Sequence, residues 1–143
     1  MEDDTVKLLR ECSSGCKMAS DSISRTLGKT DDAALKKVLR NYYGRHIRLG
    51  DECKDMLASC GEPDRDVVKI AKVMSDVKTE FEFMISDKPA TAAKLMIDGC
   101  AMGIKSVGRY LNEYCAASAD SKDLANRIIE CEKEFSDEMI PFL

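Results

Sequence analysis

Along almost its whole length the chain repeats apolar residues at alternating steps of three and four, and only a helix gathers residues so spaced onto one face. The first stripe is Leu9, Cys12, Cys16, Ala19 and Ile23, followed by Gly28, which is expected to close the helix in the left-handed conformation. Thr30-Asp31-Asp32 then supplies capping side chains and acids for the positive end of a new helix. The second stripe, Leu35, Leu39, Tyr42, His46, Leu49, Cys53, Met56 and Cys60, stops at Gly61. A helix from Asp31 to Cys60 would be roughly 45 Å long. Val67, Ile70, Met74, Val77, Phe81 and Met84 form a shorter third stripe with further apolar residues beside it, among them Val68, Val73 and Phe83. Ser86-Asp87-Lys88-Pro89 reads as a capped start with proline in the first turn. The fourth stripe follows as Ala93, Met96, Cys100, Gly103, Val107, Tyr110, Tyr114 and Ala117. The fifth is Leu124, Ile128, Cys131, Phe135, Met139 and Phe142, ended by Pro141.

No segment alternates with period two, and no hairpin signal lies between β-branched runs, so the chain is expected to be all-α. Its 143 residues fit one helical-bundle domain, 1–143, large enough to fold without disulfides or metal. Four long helices can share one core. The shorter third helix, set between two long pairs, can carry the chain back along the bundle so that the second and fourth run parallel. A simple up-down array of five is the alternative.

A net charge of -4, with no basic cluster interleaved with aromatics, argues against nucleic acid. The longest uncharged stretches fall far short of the ~20 apolar residues of a membrane span. Met1-Glu2-Asp3-Asp4 is acidic where a secretory leader would be basic. Seven cysteines, an odd number without the tight spacing of a disulfide scaffold, point to free thiols or thiolate ligands in a reducing cytoplasm.

Two long helices, a helical crossover and two more long helices resemble the ferritin-like superfamily, especially its small bacterial single-domain members of unassigned function. The resemblance runs from about Thr5 to Phe142, and Leu57-Ala58-Ser59-Cys60-Gly61-Glu62-Pro63 is similar to a Gly-Glu-Pro helix ending common in such proteins. It implies a four-helix bundle with an additional crossover helix. The family's di-metal centre takes a Glu from each of two helices and a Glu-x-x-His from each of the other two. This chain has one histidine, His46, with Tyr43 three residues before it, and no stripe position named above is acidic. Iron, and the ferroxidase or peroxide chemistry that goes with it, is therefore not expected, and neither is an enzyme.

Five cysteines, Cys12, Cys16, Cys53, Cys100 and Cys131, lie on the seams instead. Free cysteine packs as a small hydrophobe, and that is their simplest role. A sharper expectation comes from height along the bundle. If residues 28 to 30 form the first turn, Cys12 is level with His46 and Cys16 with Tyr42, while Cys100 falls within about one helical turn of that layer. Cys12, Cys16, His46 and Cys100 would then suit Zn²⁺, or Cu(I) through the thiolates, with a thiol-redox role as the related possibility.

His46 alone reads as a core residue bonded to a hydroxyl such as that of Tyr110 or Tyr114. Gly99 and Gly103 read as a close-approach pair between helices. Glu130, Glu132, Glu134 and Glu138, interleaved with Lys133, read as a solvated face. The broad apolar surface around Val68, Val73, Phe83 and Met84 leads to a non-catalytic bundle acting by self-association, as a homodimer, or by binding another protein.

Overall fold

Helix starts in this chain are set by side chains that take over orphan backbone amides. A computed structural model describes residues 3–61 and 87–143. In it, Asp3 accepts from the amide of Val6 at 3.0 Å and opens α1, Asp4–Leu27. Asp32 accepts from the amide of Leu35 at 2.8 Å and opens α2, Ala33–Ser59. Pro89 stands in the first turn of α3, Pro89–Glu113, where the cap position, Lys88, supplies no side-chain capping bond. Ser118 accepts from the amide of Ser121 at 3.2 Å and opens α4, Ala119–Met139. A 3-10 turn containing Pro141, Ile140–Phe142, follows it.

Gly28 departs from expectation. Its φ of -70° and ψ of -14° are right-handed, and its amide bonds back to the carbonyls of Ser24 and Thr26. The chain turns through buried Thr30, whose hydroxyl accepts from the amide of Asp32 at 3.3 Å, so no left-handed residue is needed there. Gly61, just past α2, is the left-handed glycine, with φ 76°.

The described residues are helical and contain no strand. The third stripe, with Val67, Val68, Ile70, Val73, Met74, Val77, Phe81, Phe83 and Met84, lies outside the described residues, and so does the association surface drawn from it. None of the described helices is long and apolar enough to cross a membrane.

Packing order follows from the contacts. The most extensive pairings are α1 with α2 and α3 with α4, while α2 also packs on α4 and α1 on α3. Ala116 and Ser118 donate their amides to Asp4 and Thr5, which brings the start of α1 to the end of α3. Across α2 and α4, Arg45 meets Glu134 and Glu52 meets Arg127, so those two helices are antiparallel. α2 and α3 consequently run in the same direction on opposite corners of the bundle.

The stripes face the core they share: Leu8, Leu9, Cys12, Cys16 and Ile23 from α1 meet Leu35, Leu39, Tyr42, Cys53 and Leu57 from α2. Cys60, the last residue of its stripe, is exposed.

Candidate metal centre

α2 comes close to α1 at Gly50, where an added Cβ would stand 3.3 Å from the Cβ of Cys16. The register is therefore not the one that equal heights predict. Cys16 hydrogen-bonds with Cys53 instead of lying level with Tyr42, and Cys12 stands in the field of Cys53. The connection accounts for the direction of the shift, since it runs on to Asp32 rather than closing at residue 30. Cys12, Cys16 and Cys53 make a buried thiol group between α1 and α2. Burial, with Cys53 and Glu11 behind it, pushes Cys12 up; Cys53, with burial behind it, pushes Cys16 up. Both stay protonated at neutral pH.

His46 goes to a different place. Its ring leans on the edge of Phe135 at 6.1 Å between centroids, and Phe135 in turn stacks on Tyr42 at 4.6 Å. Neither Tyr110 nor Tyr114 is its partner among the hydrogen bonds described. Nδ1 lies 2.7 Å from the carbonyl oxygen of Tyr42, one turn earlier in α2, and Nε2 faces Oε1 of Glu132 on α4.

These two contacts fix a proton count. A carbonyl oxygen can only accept, so Nδ1 carries a hydrogen, and a second hydrogen lies between Nε2 and Oε1. Whichever atom holds it, the His46–Glu132 unit has no net charge. Two ionisable groups at 1% and 5% exposure can thus share a core.

Glu132 was placed by sequence reasoning on a solvated face, and the structure corrects this. Glu130, Glu134 and Glu138 are exposed, but Glu132 points inward. The reason is the width of the buried arc: α4 packs against both α2 and α3, so residues beside the Leu124–Met139 seam are covered as well. Ser121, Ala125, Ile128, Glu132, Phe135 and Met139 form a second stripe at steps of three and four, and that spacing was the available signal.

The floor of the site is Gly103 on α3. A Cβ there would stand 3.0 Å from Oε2 of Glu132. Gly103 therefore makes room for a carboxylate, and Gly99, with nothing within 4 Å of an added Cβ, takes no part in a close approach.

Cys131 completes the group. One ligand atom from each of His46, Cys131 and Glu132 lies within 4.8 Å of the others, all three residues are buried, and no other such cluster occurs among the described residues. Burial pushes the Cys131 thiol up to about 11, with Arg45 and Arg48 pulling against it and Glu132 and Glu134 adding to it. Cys100 on α3 is buried but outside this group, its thiol raised first by burial and then by the charge of Glu132.

Of the four residues proposed from heights, His46 is in the cluster and Cys100 is not. Cys12 and Cys16 belong to the thiol group on the other side. Sequence reasoning missed Glu132, and it placed Cys131 on a seam without assigning it to a site.

Comparison with known proteins gives no relative to lean on: no family model matches the chain, and neither a curated protein nor a solved structure matches it.

Proposed function

We propose that the chain is a ferritin-like bundle in which a single mixed-donor centre, built from His46, Cys131 and Glu132, binds one transition-metal ion. The fold part of this reading is supported by α2 and α3 running parallel across the bundle, the relation that a crossover between two antiparallel pairs requires. The function rests on one observation, the convergence of an imidazole, a thiol and a carboxylate within 4.8 Å of one another in the core. An ion entering there replaces the hydrogen shared by Nε2 and Oε1 and the thiol hydrogen of Cys131. It leaves Nδ1–H on the Tyr42 carbonyl, the outer contact that orients histidine ligands elsewhere. A divalent ion with one carboxylate and one thiolate is neutral overall, which suits a buried place. The role is binding rather than catalysis, because all three donors are enclosed by the packed helices.

Elemental analysis of protein purified without oxygen tests this. The wild type is expected to hold about one equivalent of a transition metal, lost in both Cys131→Ser and Glu132→Gln. Metal that survives those changes and disappears in a Cys12→Ser, Cys16→Ser double variant would overturn the assignment and move the site to α1. Absence of metal from the purified protein, with no uptake of added Zn²⁺ or Co²⁺, would overturn metal binding altogether.

A further inference from the structure

We propose that Gly103 on α3 is a positioning residue for the metal. Its missing side chain lets the Glu132 carboxylate draw back as the ion enters, so that the acid binds through Oε1 alone and the centre takes a small, borderline-soft ion of the Zn²⁺ class. This conclusion rests on the three-donor reading above.

Entry of an ion must part the imidazole from the acid. An imidazole nitrogen and a carboxylate oxygen on one tetrahedral zinc ion stand roughly 3.4 Å apart, given bonds of about 2.0–2.2 Å. Nε2 and Oε1 now meet directly, so one partner has to give way. The imidazole is pinned: Nδ1 lies 2.7 Å from the carbonyl oxygen of Tyr42 in its own helix, and the ring rests on Phe135. The acid, on its flexible stem, moves instead.

α3 bounds the space on its far side. A Cβ on Gly103 would stand 3.0 Å from Oε2, 3.5 Å from Cδ and 3.6 Å from Cγ of Glu132. All three of these nearest atoms belong to one residue, so the volume a methyl group would fill is given over to this carboxylate. Gly99, one turn earlier, has nothing within 4 Å of an added Cβ, so the fit is particular to Gly103. With Oε2 lodged against the backbone of α3, Oε1 is the oxygen left for the ion. One oxygen, one nitrogen and one sulfur suit Zn²⁺ or Co²⁺. Ca²⁺ and Mg²⁺ require more oxygens, and Ca²⁺ often takes both of one carboxylate.

The test uses the full chain, stripped of metal under reducing conditions. Zn²⁺ against a competing chelator gives affinity, and the Co²⁺ spectrum reports the donors. Gly103→Ala should weaken Zn²⁺ binding by roughly 10- to 100-fold, the loss typical of a partner that orients a ligand. It should keep the sulfur-to-cobalt absorption of Cys131 while shifting the visible bands that sense the carboxylate. Gly99→Ala should change neither. In a Glu132→Asp background, where the carboxylate is drawn back from α3 by one methylene, adding Gly103→Ala should matter by less than about 2-fold, a coupling that general damage to the helix would not produce. A large excess of Ca²⁺ or Mg²⁺ should leave wild-type Zn²⁺ in place. Circular dichroism confirms that the variants fold.

If Gly103→Ala binds Zn²⁺ as tightly as the wild type with the same cobalt spectrum, or if its penalty is equal in both backgrounds, the positioning role is overturned while the three-donor site stands. Displacement of Zn²⁺ by Ca²⁺ or Mg²⁺ would overturn the one-oxygen reading. If the wild type takes up neither Zn²⁺ nor Co²⁺, the metal site and this inference fall together.

Discussion

Two groups of buried polar side chains sit in one core and solve the same problem differently. Between α1 and α2, Cys12, Cys16 and Cys53 are buried together, and burial among neighbouring thiols keeps Cys12 and Cys16 uncharged at neutral pH. Between α2, α3 and α4, Glu132 brings in a carboxylate, and the surroundings are arranged for it: His46 opposite, Gly103 beneath, Cys131 alongside. The contrast shows that burial by itself does not mark a site. Thiols behave here as small hydrophobes, whereas a buried acid forces its neighbours to be specific residues.

Removing the acid's partner should break the contrast most strongly. In metal-free protein, His46→Leu leaves Glu132 enclosed without its base and is expected to cost about 3–5 kcal/mol of unfolding free energy in urea titrations. Glu132→Leu leaves only a neutral imidazole lacking one bond and should cost about 1–3 kcal/mol. The double variant, with both groups replaced by hydrocarbon, should recover most of the loss. Single variants that are each harmless would mean that the pair is not a buried charge-sharing unit.

The thiol group answers to alkali instead. Cys12 and Cys16 are both raised in the folded chain above the ordinary thiol range, so their contribution to stability is complete below that range and drains as pH climbs through it. Between about pH 9 and pH 10 each should remove roughly 1 kcal/mol, about 2 kcal/mol together, because the unfolded chain ionises there and the folded one does not. A Cys12→Ala, Cys16→Ala variant should show a flatter loss over the same interval, measured under reductant. An unchanged slope would mean that these thiols ionise as freely in the core as in water.

The same contrast explains what was legible in the sequence. Steps of three and four along Leu9, Cys12, Cys16 and Ile23, or along Leu124, Ile128, Cys131, Phe135 and Met139, gave the helices and most of the core, because burying an apolar stripe is the dominant demand on a helix. Asp32 and Pro89 gave two of the starts. Register was harder. Cys16 meets Gly50 and Cys53 because of how the chain leaves α1 and enters α2, and counting residues at equal rise cannot follow that path. Glu132 escaped for a different reason. Acids and lysines surround it, and the second stripe that runs through it is apolar only if one accepts Ser121, Ala125 and a carboxylate as core residues. Functional positions are where local pattern and burial disagree, and this one disagrees more than any other on α4.

Two glycines four residues apart on α3 provide the finest test. Gly99 has open space where a methyl group would go, so Gly99→Ala should gain about 0.5–1 kcal/mol from helix propensity alone. Gly103→Ala receives the same intrinsic gain, but its methyl lies 3.0 Å from Oε2 of Glu132, and the carboxylate must shift. The shift is resisted because Oε1 is held by His46. A net loss of about 1 kcal/mol is expected, opposite in sign to the neighbouring change, from the weakening of a buried hydrogen bond. Thermal melts of the two variants, made side by side without metal, separate these cases. If both alanines stabilise the chain equally, Glu132 has room to move, and the support attributed to the floor of the site is absent.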